Sequence, residues 1–385
     1  MGAPKPSNRK PALGPGADAN DPVASNFMKE IPMSNVLAFV GTYTRDDSVG
    51  VYAYTFDVDT GELFPIGSAP LDNPSYLALH PSGKVLYAIN EVSEFNGEKG
   101  GAISALAISD SGDLTLLNQQ SVKGPGPCHL CIDATGKYAL VANYGGGSVC
   151  VLPIGEDGAL HEASDFIQHE GSSINERRQK EPHAHSINLD TQNRFAYVAD
   201  LGMDKVLAYE LDLQTGKLAL AQTVTVKPGQ GPRHFDMHPN GKYAYLINEI
   251  GNTVNAYDYE ASTGALTQIQ SINTLPDGFF GSSHTADIHV SPDGRFVYGS
   301  NRGHDSITIY AVGQDGRLTR VGQEPTGGEN PRNFAIDPEG NFLLAANQNT
   351  NNIVTFRINK EDGGLEKTGA EINVPRPVCL KFLQR

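Results

Sequence analysis

The feature that most limits what this chain can fold into is a hairpin that recurs six times. Segments 73–91 (NPSYLALHPSGKVLYAINE), 126–144 (GPCHLCIDATGKYALVANY), 182–200 (PHAHSINLDTQNRFAYVAD), 231–249 (GPRHFDMHPNGKYAYLINE), 283–302 (SHTADIHVSPDGRFVYGSNR) and 330–348 (NPRNFAIDPEGNFLLAANQ) share one pattern. Each reads as an apolar strand, a polar turn and an apolar-aromatic strand. The turns fall at Gly83, Gly136, Asn193, Gly241, Gly294 and Gly340, a mean spacing of about 51 residues. That is the period of propeller blades.

A second signal counts the blades independently. A Gly-x-Leu turn recurs as TGELF, SGDLT, DGALH, TGKLA, TGALT, DGRLT and GGLEK, placed at Gly61, Gly112, Gly158, Gly216, Gly264, Gly316 and Gly364. Seven outer hairpins thus stand against six complete inner ones. The missing inner pair is split between the two ends, PRPVCLKF at 375–382 and NVLAFVGTY at 35–43. The spacing predicts an all-β, seven-bladed propeller over 35–385, its ring closed by the C-terminal strand joining the N-terminal blade. Closure removes the exposed sheet edges that an open array would leave. Residues 1–34, rich in Pro, Gly, Ala, Asn and Asp, are expected to form a disordered extension without the apolar run of a secretory signal.

The formal net charge of −15 over 385 residues argues against nucleic acid or an anionic membrane as partner. No segment approaches the ~20 apolar residues of a membrane span. Four cysteines, Cys128, Cys131, Cys150 and Cys379, point to a reducing, cytoplasmic setting. Cys128 and Cys131 form CHLC, but no second C-x-x-C exists, and strand positions three apart face opposite ways. The G-x-S-x-G, Walker A and H-E-x-x-H motifs are missing from the sequence. His183 and His185 in HAH have metal-like spacing, with no carboxylate or thiolate partner nearby in sequence. Neither metal nor cofactor is expected. The partner expected is a small anionic molecule, and the chain a monomer or weak homo-oligomer.

Topology then selects one face. If strand A of a blade, the innermost, crosses the ring and strand B returns, the start of A and the end of B share a face. Strand A starts supply Tyr76, His129, His183, His185, Arg233, His234, His284, Asp287, Arg332 and Asn333. Strand B ends supply Glu91, Asp200, Asn248, Glu249, Asn301 and Arg302. The opposite ends hold tight turns, where His80 and His238 are expected to be structural. Longer loops, 91–101, 161–182 and 272–283, join the polar face. Loop 161–182 carries Arg177, Arg178 and Lys180, a positive cluster expected to draw an anion toward the pocket.

The hairpins ending INE, SNR and ANQ resemble the propeller-type lactonases, over roughly residues 36–384. That family includes bacterial 6-phosphogluconolactonases, and fungal carboxymuconate lactonizing enzymes are related. The resemblance implies hydrolysis of a sugar δ-lactone, most simply the 6-phosphogluconolactone of the pentose phosphate pathway. A lactonizing activity on a dicarboxylate and a non-catalytic binding propeller are the alternatives. It also implies four catalytic positions, His185, Arg233, Glu249 and Arg302, with His185 or Glu249 as base. His129, His183, His234, His284, Asp287, Asn301, Arg332 and Asn333 are the expected substrate-binding groups around them.

Overall fold

Each of the repeated hairpins is a pair of antiparallel strands in the computed structural model, which describes residues 35–385. The disordered extension expected at 1–34 lies outside the described residues. Seven four-stranded sheets form the blades. In chain order, blades 1 to 6 start with their innermost strand A at Leu77–Leu79, Pro127–Ile132, Ala184–Leu189, Pro232–Met237, His284–Val290 and Pro331–Ile336. Blade 7 is composite: the C-terminal strand Pro377–Gln384 pairs antiparallel with Val36–Thr42, followed outward by Gly50–Phe56 and Leu63–Pro70. The closure read from the two chain ends is therefore present.

Composition changes from the axis outward as burial changes. B strands such as Val85–Asn90, Tyr138–Asn143 and Phe342–Asn347 are buried at every position, hence their unbroken apolar runs. Outermost D strands such as Lys217–Thr225 and Leu365–Asn373 alternate or are largely exposed, as polar edge strands should. The core lies mainly between blades. Phe296, Tyr298 and Ile309 of blade 5, for example, pack with Phe334, Leu343 and Phe356 of blade 6.

Two recurring hydrogen bonds tie neighbouring blades at the turn-rich face. Tyr87, Tyr197, Tyr245 and Tyr298 on B strands each donate a hydroxyl to the carbonyl of a Gly-x-Leu glycine one blade on: Gly158, Gly264, Gly316 and Gly363. His80 and His238 reach the carbonyls of Gly136 and Gly294, at 3.0 and 2.8 Å, a structural role as expected. All six inner turns hold a left-handed residue at the predicted position, five glycines and Asn193. In the seventh outer turn that residue is Gly363, with φ 75°, one position before the Gly364 read from sequence.

Two of the expected loops contain strands of their own. Segment 161–182 contains the D strand of blade 2, Asp165–Gln168, and segment 91–101 a small hairpin, Glu94–Phe95 with Glu98–Lys99. No helix among the described residues is long and apolar enough to cross a membrane.

Candidate active site at the channel mouth

One irregularity of the backbone decides which side chains reach the channel. In blades 2, 3, 4 and 6 the A–B ladder slips by one residue at the same level. In blade 4, Pro232 faces Asn248 and His234 faces Ile247, so Arg233 is the extra residue of a β-bulge. Cys128, His185 and Arg332 are the equivalent extra residues in blades 2, 3 and 6. Blade 5 shifts between Thr285 and Ile288. A bulge re-aims a side chain that strict alternation would send elsewhere. It is how Arg233 and His234, adjacent in sequence, both come to serve the inner site.

Glu249, just beyond the end of a B strand, is the hub. Its Oε2 accepts from Arg233 Nε at 3.0 Å and forms an ion pair with Arg302 Nη2 at 2.8 Å. Its Oε1 accepts from Arg178 Nη2 at 2.7 Å. His185 Nε2 lies 3.7 Å from Oε2, beyond hydrogen-bond length. The carboxylate is only 5% exposed. Burial would raise its pKa, but Arg302, His185, Arg233 and Arg178 together hold it well below the ordinary carboxylate value. Glu249 is thus ionised at neutral pH and a poor proton acceptor. Burial, then Arg233, push the His185 imidazole well below its ordinary value, while Glu249 opposes them. His185 is neutral at pH 7. Burial with the neighbouring Arg302 and Arg332 pulls Arg233 down to about 10, which leaves it charged.

The four positions expected to be catalytic therefore meet, although they come from three blades. Arg178, expected as one charge of a cluster that draws an anion toward the pocket, joins them directly. It is not part of a diffuse surface field: it holds Glu249 and donates to the Tyr144 hydroxyl at 3.1 Å. Arg177 and Lys180, by contrast, are exposed. The available signal was position, since NERRQK runs directly into PHAHS.

Deeper residues form a second layer. His234 donates from Nδ1 to Asp287 Oδ1 at 2.7 Å, leaving Nε2 as acceptor. Asp287 also contacts His289 Nε2 at 3.1 Å and accepts from Asn333. His129 Nδ1 accepts the Ile187 amide at 3.3 Å, and its ring lies 4.1 Å from that of Tyr76. His185 touches this layer through His234, with ring centres 5.4 Å apart. His183 sits beside the mouth, stacked on Tyr144 at 4.5 Å and bonded to its carbonyl at 2.9 Å. His284 is exposed and lines a rim cavity with Arg302.

Asn301 does not join the site. Its amide donates to Ser306 and Thr308 at 3.3 and 3.0 Å inside its own blade. Asn143 and Asn248 likewise bond the first hydroxyl residues of their C strands, Ser148 and Thr253. The asparagine that ends these strands secures the next strand, and the residue after it faces the mouth.

The arrangement can do acyl chemistry at an ester carbonyl. A neutral imidazole can take a proton from water, at roughly 10²–10⁴-fold advantage. Guanidiniums can receive the charge that grows on the carbonyl oxygen, often the largest contribution to such a reaction.

Comparison with known proteins agrees with this chemistry. The family described as lactonase, 7-bladed β-propeller, matches residues 37–382. A 6-phosphogluconolactonase of Bacillus subtilis is 39% identical over 355 residues, 92% of this chain and 100% of that one. One from Formosa agariphila is 40% identical over 346 residues, 87% and 96% of the two chains. The structure of a periplasmic gluconolactonase from Pseudomonas aeruginosa superposes with a TM-score of 0.85 at 32% identity, covering 90% of this chain and 99% of that one.

Proposed function

The chain belongs to the seven-bladed β-propeller lactonase family and is a lactonase, and we propose that it hydrolyses 6-phospho-D-glucono-1,5-lactone to 6-phospho-D-gluconate. The observation that supports this reading best is the convergence of His185, Arg233, Arg302 and Arg178 on the buried carboxylate of Glu249. The names of the Bacillus and Formosa relatives supply the phosphorylated substrate.

In this reading His185 is the base. Its Nε2 takes a proton from water as the water oxygen bonds to C1 of the lactone. The carbonyl oxygen becomes negative and is met by Arg302 or Arg233. Collapse breaks the C1–ring oxygen bond, and the ring oxygen leaves as a hydroxyl, recovering the proton from His185. Glu249 has two tasks that need no basicity: it gathers the arginines and stabilises the imidazolium that forms beside it. The acid product then ionises. The reading places the enzyme in the cytoplasm, in keeping with four free cysteines, and in the pentose phosphate pathway.

The name of the Pseudomonas neighbour favours a second reading, an unphosphorylated gluconolactone. Initial rates on phosphorylated and unphosphorylated glucono-1,5-lactones and on a muconolactone, with spontaneous opening subtracted, separate these. The proposal expects the highest kcat/KM on the phosphorylated lactone. Preference for either other substrate would replace it.

A further inference from the structure

The bulge in blade 6 raises a question that the catalytic cluster leaves open. Arg332 occupies the same extra position as His185 and Arg233, yet it makes no ion pair with Glu249 comparable to those of Arg233 and Arg302. Its guanidinium instead lies over the ring of Tyr43, 5.6 Å from the centroid. It lines a cavity of about 340 Å³ together with Arg45 and Arg376. Glu91 is the carboxylate in that lining, and it is tied to the hydroxyls of Tyr43 and Ser75.

We propose that this cavity is the subsite for the substrate phosphate, with Arg332 as its inner ligand and Arg45 and Arg376 as its outer ones. The inference rests on the lactonase reading above and adds the groups that would read the phosphate. Three guanidiniums face one carboxylate there, and Asp46 offsets part of Arg376 from the outer side at 2.9 Å. A positive cavity is notable in a chain of net charge −15. A phosphate monoester carries about −1.5 to −2 at pH 7, and the planar guanidinium fork matches its oxygens in pairs. A lone carboxylate would compensate less of that charge.

Position supports the same assignment. Lactone chemistry is assigned to blades 3, 4 and 5, while the arginine cavity is built by blades 6, 7 and 1. Asn330 lines both this cavity and its neighbour, which Arg302 also lines. A ligand with its carbonyl toward Arg302 would thus direct its other end toward Arg332. Burial opposes the charge on Arg332, but Tyr43, Glu91 and Glu249 keep it firmly protonated.

The test is the ratio of kcat/KM for 6-phospho-glucono-1,5-lactone to that for glucono-1,5-lactone, measured in wild type, Arg332→Gln and Arg45→Gln. Loss of a charged hydrogen bond of ~1.5–3 kcal/mol corresponds to about 10–160-fold. The ratio should fall by at least about tenfold in Arg332→Gln, carried by KM, with a smaller fall in Arg45→Gln. Inorganic phosphate should inhibit wild type competitively and Arg332→Gln more weakly. A wild type that prefers the phosphorylated lactone, with a ratio unchanged in both variants, would overturn the subsite while sparing the substrate. A wild type without that preference would overturn the substrate reading and the subsite with it. Arg45 is exposed, so its variant keeps the test open should Arg332→Gln fail to fold.

Discussion

Glu249 shows how a residue's surroundings can reverse the role its chemistry suggests. A carboxylate beside a histidine invites assignment as the base. Three arginines within hydrogen-bond length make it instead a fixed anion. The consequence can be read in pH dependence. Burial and Arg233 lower the pKa of His185, whereas Glu249 raises it. A base must be unprotonated, so the acid limb of kcat/KM, which reports the free enzyme, should fall below pH 6.5. Glu249→Gln removes the group that favours the imidazolium and leaves the arginines uncompensated. Its acid limb should move lower still, and its melting temperature should drop, since breaking a buried ion pair costs about 3–5 kcal/mol. An acid limb that moves upward in Glu249→Gln would mean that His185 is not the group being titrated.

At the scale of the element, turns were legible and bulges were not. Glycine at a hairpin turn announces itself because only a left-handed residue fits there. Asn193 takes that position in blade 3, with φ 59°. Its side chain also accepts from the Ala134 amide at 2.7 Å and donates to Asp133 at 3.1 Å, linking two blades. Asn193→Gly keeps the backbone and loses both bonds, at a cost of about 2 kcal/mol. Asn193→Ala loses the bonds and is also forced into a left-handed conformation, for about 1–2 kcal/mol more. Denaturant titration of the two variants checks this. Equal losses would show that conformation contributes nothing at this turn.

A bulge has a weaker signature: proline precedes the extra residue in blades 2, 4 and 6, but alanine does in blade 3. Cys128, His185, Arg233 and Arg332 share a position but, the two arginines apart, no chemistry, so strict alternation mis-aims one residue in each strand. The polar rim was nevertheless predictable, because strand direction alone puts A starts and B ends on one face. What escaped was the distinction among those residues. Asn301 resembles a ligand in sequence but is a tether within its blade. Arg178 resembles surface charge but is bonded to Glu249, 71 positions away in the chain. The first depends on a side-chain contact between neighbouring strands of one blade, the second on a contact that only assembly of the blades creates.

On the scale of the whole molecule, the ring is what makes the site possible. Glu249 and Arg233 come from blade 4, Arg302 from blade 5, His185 from blade 3 and Arg178 from the segment leading to it. None of these blades could hold the cluster alone. The composite blade 7 joins the first and last strands, and interblade tyrosine bonds fix neighbouring blades in register. A fixed ring pre-orders the charged groups, so little reorganisation is needed when negative charge develops on substrate. The central claim is that this ordered mouth opens a lactone with His185 as base. It is tested most directly by kcat and KM for 6-phospho-glucono-1,5-lactone in wild type and His185→Asn, with spontaneous hydrolysis subtracted. The account predicts that kcat falls by roughly 10²–10⁴-fold while KM changes much less. A His185→Asn enzyme that turns over at the wild-type rate would contradict it.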